Sequence, residues 1–135
     1  MAGQRGRYSG VDGSLSVLPE SVLHDGAGLI RLLQDGGCTG IACSHSTTFD
    51  LTLALLHERG LSVPEDYSVL SLGDASSRPC FPVAPTYVSI DRLHWGEAAA
   101  ELLVGKLQQG ASETSHVRLP CEFIIGTSTA PHPGS

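Results

Sequence analysis

The sequence has few positive charges. Only eight of its 135 residues are lysine or arginine, against fourteen aspartates and glutamates, and Lys106 is the one lysine. A protein that holds nucleic acid by its phosphates needs a cluster of basic side chains, and no such cluster occurs in this sequence. We therefore expect that this chain does not bind nucleic acid by itself.

Long apolar runs are also missing. None approaches the roughly 20 residues that span a bilayer. The opening residues MAGQRGRYSG lack the apolar core of a secretory signal peptide. We expect a cytoplasmic protein without membrane contact.

A third absence is that of paired metal-binding cysteines. The four cysteines are Cys38, Cys43, Cys80 and Cys121, and no two of them form a CxxC pair. Cys38 and Cys43 with His45 come closest to a metal-binding set, and their spacing suits zinc poorly. We expect reduced, buried thiols that pack as small apolar residues, and neither a metal nor a cofactor.

What the sequence does contain is typical of a globular domain of ordinary size, with 41% hydrophobic residues. Residues 1–13 are rich in glycine, arginine and serine, and we expect a flexible segment there. Residues 14–130 carry the periodic apolar patterns of one domain, and residues 131–135 form a short tail.

The apolar patterns predict strands that alternate with helices. Strands are expected at 14–18, 39–43 and 67–72, helices at 22–34, 47–59 and 93–109, and extended segments at 81–90 and 117–130. The N-cap of the second helix is expected at Ser46 or Thr47. This alternation predicts an α/β fold, an open parallel sheet flanked by helices.

Polar residues follow two of the predicted strands directly. His45 and Ser46 follow the strand at 39–43, and Gly73 and Asp74 follow the strand at 67–72. Ligands of open parallel sheets bind at the carboxyl ends of the strands, so these residues are candidates for contact with a small polar molecule. The alternative is that they are only a loop histidine, a helix cap and turn residues.

Four segments, in order, resemble one known family. The first runs from the strand at Thr39 through its polar tip and a helix to ERGLSVPEDYSVL (58–70), and the second is the strand end SLGD (71–74). The third is APTYVSIDRLHWGEAAAELLVGKLQQG (84–110) and the fourth is RLPCEFIIGTSTAP (118–131). Together they resemble the C-terminal part of the effector-binding domain of LacI/GalR-family transcriptional regulators. The resemblance implies the type I periplasmic-binding-protein architecture and the sensing of a sugar or a related polar metabolite.

The departures from the family pattern fall at its effector contacts. His45 and Ser46 stand where the family commonly has Asn-Asp, and Gly73 replaces the first aspartate of its GFDD motif. Ile90 and Gly126 replace a glutamine and an arginine. These changes put ordinary sugar binding in doubt and suggest a different or bulkier effector, or none.

An upstream segment, RYSGV (7–11), resembles the family's R-x-x-G-F motif, whose arginine holds the effector. The helix expected after that motif is missing from the sequence. The resemblance thus adds Arg7 to the candidate effector contacts His45, Ser46, Gly73 and Asp74.

The resemblance also implies partners. A family regulator binds DNA through a helix-turn-helix segment, and 135 residues have no room for it or for the N-terminal subdomain. Without that subdomain, the stripe Leu102, Leu103 and Leu107 would face water. The family's subunit contacts imply a homodimer. The interface residues would be Phe49, Leu53, Phe81 and Val83, which could equally fill the core of a single chain.

Two other functions remain open at this point. One is a solute-binding protein of a transporter, which would use the same architecture. The other is an enzyme, with Cys43, His45 and Ser46 supplying a nucleophile and a base. Nucleophilic catalysis needs an orienting third group and an oxyanion hole, and no GxSxG motif occurs, so we predict that the chain is not an enzyme.

Overall fold

The structure is a computed structural model that describes residues 5–6, 15–75, 82–109 and 116–131. The predicted residues Arg7, Cys80 and Phe81, most of segment 1–13 and tail residues 132–135 lie outside these ranges. The chain divides into two compact units, residues 1–38 and 39–135.

The first unit contains a small sheet and a helix. Strands β1 (Arg5–Gly6) and β2 (Leu15–Ser16) pair antiparallel, and a 3₁₀ helix (Glu20–His24) precedes helix α1 (Gly26–Asp35). The single helix predicted at 22–34 therefore begins later than expected.

Its start is set by Asp25, whose carboxylate accepts a hydrogen bond of 3.1 Å from the Gly28 N–H. Because Gly26 and Gly28 lie in the first turn, they do not interrupt the helix.

The second unit is built on a four-stranded sheet. Its strands are β3 (Gly40–Cys43), β4 (Ser68–Ser71), β5 (Thr86–Ser89) and β6 (Glu122–Ile124), in the order β3-β4-β5-β6. The first three strands are parallel, as predicted, and β6 pairs antiparallel with β5. The predicted open α/β sheet is confirmed, with β6 making it mixed.

Helix α2 (Ser46–Glu58) follows β3 and packs against β3 and β4. Phe49, Leu53 and Leu56 are spaced at i, i+4 and i+7, and all three are buried. The helix ends just before Gly60, whose φ of +70° is readily adopted by glycine.

The prediction of Ser46 or Thr47 as the N-cap is wrong. His45 is the N-cap, with φ −139° and ψ 159°. Thr48 holds it there, because its Oγ1 accepts from the His45 N–H at 3.1 Å and donates to the His45 carbonyl at 2.7 Å.

The segment after β6 returns to the middle of the sheet. Ser128 is fully buried, and its hydroxyl donates to the Val69 carbonyl at 2.6 Å and accepts from the Thr86 N–H at 2.8 Å. Its carbonyl accepts from the Val69 N–H at 2.8 Å. This segment thus provides hydrogen-bond partners for backbone groups of β4 and β5 that would otherwise be buried without one.

Gly126 in this segment has no room for a side chain. Its N–H donates to Thr86 Oγ1 at 3.0 Å, and an added Cβ would overlap the carbonyl oxygens of Ala84 and Pro85. An arginine at this position would therefore require the backbone to move.

Helix α3 (Arg92–Gln109) is capped by Asp91, whose Oδ1 accepts from the His94 N–H at 3.0 Å. Among the described residues, α3 makes no extensive contact with another helix or strand. Leu103 and Leu107 of the predicted stripe are 61% and 77% exposed, and Leu102 is half-buried. In the part of the chain that the structure describes, no helix is both long and apolar enough to cross a membrane.

Candidate functional site

The ends of β3 and β4 emerge at the same edge of the sheet. The two strands are parallel and in register, with Cys43 opposite Ser71. The pairing continues one residue further, since the Leu72 N–H donates to the Cys43 carbonyl at 2.7 Å. The residues that follow each strand therefore leave the sheet side by side.

Gly73 lies directly against the end of β3. A Cβ added at Gly73 would lie 3.5 Å from the Ser44 carbonyl oxygen and 3.6 Å from the His45 Cα. The turn after β4 is held by Ser71, whose hydroxyl donates to the Gly73 carbonyl at 2.8 Å. The structure thus brings the segments around His45 and Gly73 into contact.

His45 is fixed by its neighbours and faces solvent. Beyond the two backbone contacts with Thr48, its ring Nδ1 lies 2.8 Å from the Ser44 hydroxyl oxygen. The residue is exposed, so the ring is accessible at the edge of the sheet. An imidazole in this position can exchange a hydrogen bond with a ligand.

Ser46 and Asp74 complete the predicted set at this edge. Ser46 is half-buried and is the first residue of α2, where backbone N–H groups lack partners within the helix and favour ligand oxygens. Asp74 is half-buried at the end of β4, next to the buried Ala75. A carboxylate there can accept hydrogen bonds from the hydroxyl groups of a polyol.

The ends of β5 and β6 add an open surface groove that sequence reasoning missed. It has a volume of about 250 Å³ and is lined by Ser89, Asp91, Pro120, Cys121 and Glu122. Because β6 runs antiparallel to β5, its first residue lies at the carboxyl end of β5. The rule that singled out His45 and Asp74, a polar residue just after a strand, would also have found Asp91.

The cysteines differ in exposure. Cys43 is buried and its thiol donates to Thr52 Oγ1 at 3.5 Å. Burial raises the pKa of the Cys43 thiol above its ordinary value, and the hydrogen bond with Thr52 opposes that rise. Cys121 is exposed and Cys38 half-buried, so the expectation that these thiols are buried is wrong for Cys121.

No group of three or more histidine, cysteine or acidic side chains suited to a metal ion occurs among the residues that the structure describes.

The residues predicted for a dimer interface separate into three groups. Phe49 and Leu53 are 3% and 5% exposed and belong to the packed face of α2, which favours the alternative that they fill the core of the single chain. Val83 is half-buried. Phe81, like Arg7 of the effector set, lies outside the described residues.

Comparison with known proteins identifies the family. Residues 18–129 match the family model described as a periplasmic binding protein-like domain. The chain belongs to this family. The match covers the sheet and every strand end that forms the candidate site.

Solved structures of similar proteins agree with the resemblance seen in the sequence. A LacI family transcriptional regulator from Bifidobacterium animalis subsp. lactis is 30% identical, with a TM-score of 0.65 over 86% of this chain and 42% of its own. One from Arthrobacter sp. FB24, in complex with lactose, is 26% identical, with a TM-score of 0.66 over 90% of this chain and 46% of its own.

A third, from Enterococcus faecium with bound ribose, is 26% identical, with a TM-score of 0.65 over 82% of this chain and 41% of its own. The similarity to LacI-family regulators is thereby confirmed. The chain spans less than half the length of each of these three regulators. No functionally curated protein matches the chain.

Proposed function

We propose that this chain is the ligand-sensing part of a LacI-like transcriptional regulator and that it binds a small polar effector at the carboxyl edge of its sheet. The observation that carries the proposal is the contact between the ends of β3 and β4, where Gly73 lies against Ser44 and His45. Two similar regulators have sugars bound, ribose in one and lactose in the other.

The effector contacts that we propose are His45, Ser46 and Asp74, with Gly73 leaving space between them. Arg7 is retained on the sequence resemblance alone. The imidazole, the serine hydroxyl with the α2 amides, and the carboxylate together offer donors and acceptors to a ligand rich in hydroxyl groups. Because the residues differ from the family's usual set, we expect the preferred effector to differ from a simple sugar in size or in substituents.

The parent protein is proposed to act on DNA as a cytoplasmic homodimer. Effector binding would shift the relative position of the two subdomains and thereby the presentation of a DNA-binding segment outside this chain, a hinge-type change. Since Phe49 and Leu53 are buried in the single chain, Val83 and Phe81 remain the proposed interface residues.

A catalytic function is not proposed. Cys43, the strongest nucleophile of the Cys43–Ser46 segment, is buried, and burial raises the pKa of its thiol, which favours the unreactive protonated form. The similar proteins are transcriptional regulators, which also makes the transporter alternative the less favoured one.

Calorimetry with the purified chain and with its longer parent tests the proposal, using ribose, lactose, nucleosides and sugar acids as ligands. For a ligand that binds, Asp74→Asn should weaken affinity about tenfold or more, since a charge-assisted hydrogen bond contributes about 1.5–3 kcal/mol. Glu65→Gln is the matched control, an exposed carboxylate in the turn before β4. A parent that responds to none of these ligand classes would contradict a sensing role.

A further inference from the structure

The His45 side chain is hydrogen-bonded to the residue that precedes it. Ser44 Oγ lies 2.8 Å from His45 Nδ1, and both residues are exposed at the end of β3. The His45 backbone is already held at both its N–H and its carbonyl by Thr48 Oγ1. With backbone and Nδ1 engaged, Nε2 is the ring nitrogen left to meet a ligand.

The position of His45 decides which ring nitrogen carries the proton in the neutral ring. His45 is the N-cap of α2, where the first backbone N–H groups of the helix lack carbonyl partners and produce a positive field. An N–H at Nδ1 would add a further donor beside these groups, whereas a bare Nδ1 accepts. A serine hydroxyl can donate or accept, so Ser44 is able to donate to a bare Nδ1, an arrangement that leaves the proton of the neutral ring on Nε2.

We propose that Ser44 is a positioning residue that fixes the His45 ring in the Nε2–H tautomer, so that His45 donates a hydrogen bond to an effector oxygen. The proposal rests on the proposed function and deepens it. The asparagine that the family resemblance places at this position can both donate to and accept from a ligand, whereas His45 in this tautomer offers the ligand only the Nε2–H donor. The effector should therefore present an acceptor oxygen, from a hydroxyl or a carbonyl group, to the end of β3.

Nitrogen-15 NMR of the histidine rings tests the tautomer without any ligand. In the neutral ring of the wild-type chain, His45 should show an unprotonated Nδ1 and a protonated Nε2. Ser44→Ala should shift the ring signals toward a mixture of tautomers, and Ser44→Thr should restore the wild-type signals. A protonated Nδ1 in the wild type, or ring signals unchanged in Ser44→Ala, would overturn the proposal.

Ligand affinity tests the consequence. Titrations use ribose, lactose and any further ligand found to bind. Ser44→Ala should weaken binding about fivefold, which corresponds to one neutral hydrogen bond, and Ser44→Thr should bring it back to within about twofold of the wild type. Ser62→Ala, an exposed serine in the turn after α2, should leave affinity unchanged. Equal affinity of Ser44→Ala and the wild type would overturn the positioning role.

The two proposals fail in different ways. If the wild-type chain and its parent bind no ligand, the sensing function fails, and the histidine signals alone still decide whether Ser44 orients the ring. If a ligand binds and Ser44→Ala has no effect, sensing stands and the role of Ser44 is rejected.

Discussion

Helices α2 and α3 are both rich in apolar residues, yet these residues are buried in α2 and largely exposed in α3. Helix α2 buries Thr48, Phe49, Thr52, Leu53 and Leu56 against the sheet. Helix α3 is longer, and its Leu93 and Leu107 are 75% and 77% exposed. An apolar stripe in the sequence thus identifies the helix face that is suited to burial. Whether that face is buried depends on which other elements pack against it.

The largest difference between the two helices should appear on truncating a leucine. Leu56 is fully buried, so Leu56→Ala should lower the free energy of unfolding by about 2–5 kcal/mol, because it removes transfer energy and leaves a cavity. Leu103→Ala on α3 is the matched control and should change it by less than about 0.5 kcal/mol. Urea denaturation followed by circular dichroism measures the free energy of unfolding of both variants. Equal losses of stability would contradict the difference in burial between the two helices.

A somewhat smaller effect is expected for Ser128→Ala in the packed region. The substitution leaves the buried Val69 carbonyl and Thr86 N–H without the Ser128 hydroxyl, so stability should fall by about 2–3 kcal/mol. Ser62→Ala, at an exposed serine, should be close to neutral in the same urea titration. A neutral Ser128→Ala would show that packing alone stabilises this region.

The smallest expected effect is the pH dependence of stability that arises from Cys43 at the end of β3. Burial raises the pKa of the Cys43 thiol in the folded state. The contribution of Cys43 to stability is therefore fully present below the unfolded-state pKa of about 8.5 and is lost as the pH rises through the folded-state pKa. One proton sets an upper limit of about 1.4 kcal/mol per pH unit.

Unfolding midpoints at pH 7.5 and pH 9.5 measure this slope. The wild type should lose more stability over this range than Cys43→Ala, which lacks the titrating group. The exposed Cys121→Ala serves as the control and should keep the wild-type slope. Identical slopes for the wild type and Cys43→Ala would mean that Cys43 does not contribute to the alkaline loss.

Much of the second unit could be predicted from local patterns. The helix predicted at 47–59 corresponds to α2, whose buried Phe49, Leu53 and Leu56 have the i, i+4, i+7 spacing of one helix face, and the left-handed Gly60 follows its end. The start of α2 was misplaced by one or two residues, since Ser46 and Thr47 are commoner N-caps than His45. Only the structure shows that Thr48 holds the His45 backbone.

The candidate site was predictable in part. Its location followed from the general rule on strand ends, and that rule singled out His45 and Asp74. Two features required the pairing of strands far apart in sequence: the contact of Gly73 with the end of β3 and the groove beside Asp91. The Ser44–His45 hydrogen bond depends on side-chain orientations that the sequence does not specify. The antiparallel direction of β6 was missed for the same reason.

By itself the sequence determined the approximate positions of the helices and of most strands, because periodicity, caps and glycine stops act over a few residues. Only the tertiary structure decided that β3 and β4 end in contact, that Phe49 and Leu53 are buried while Leu103 and Leu107 are not, and that β6 reverses direction. These outcomes depend on hydrogen bonds and packing between different elements of the chain, some of them far apart in sequence, such as Ser128 with Val69, and no local pattern encodes them.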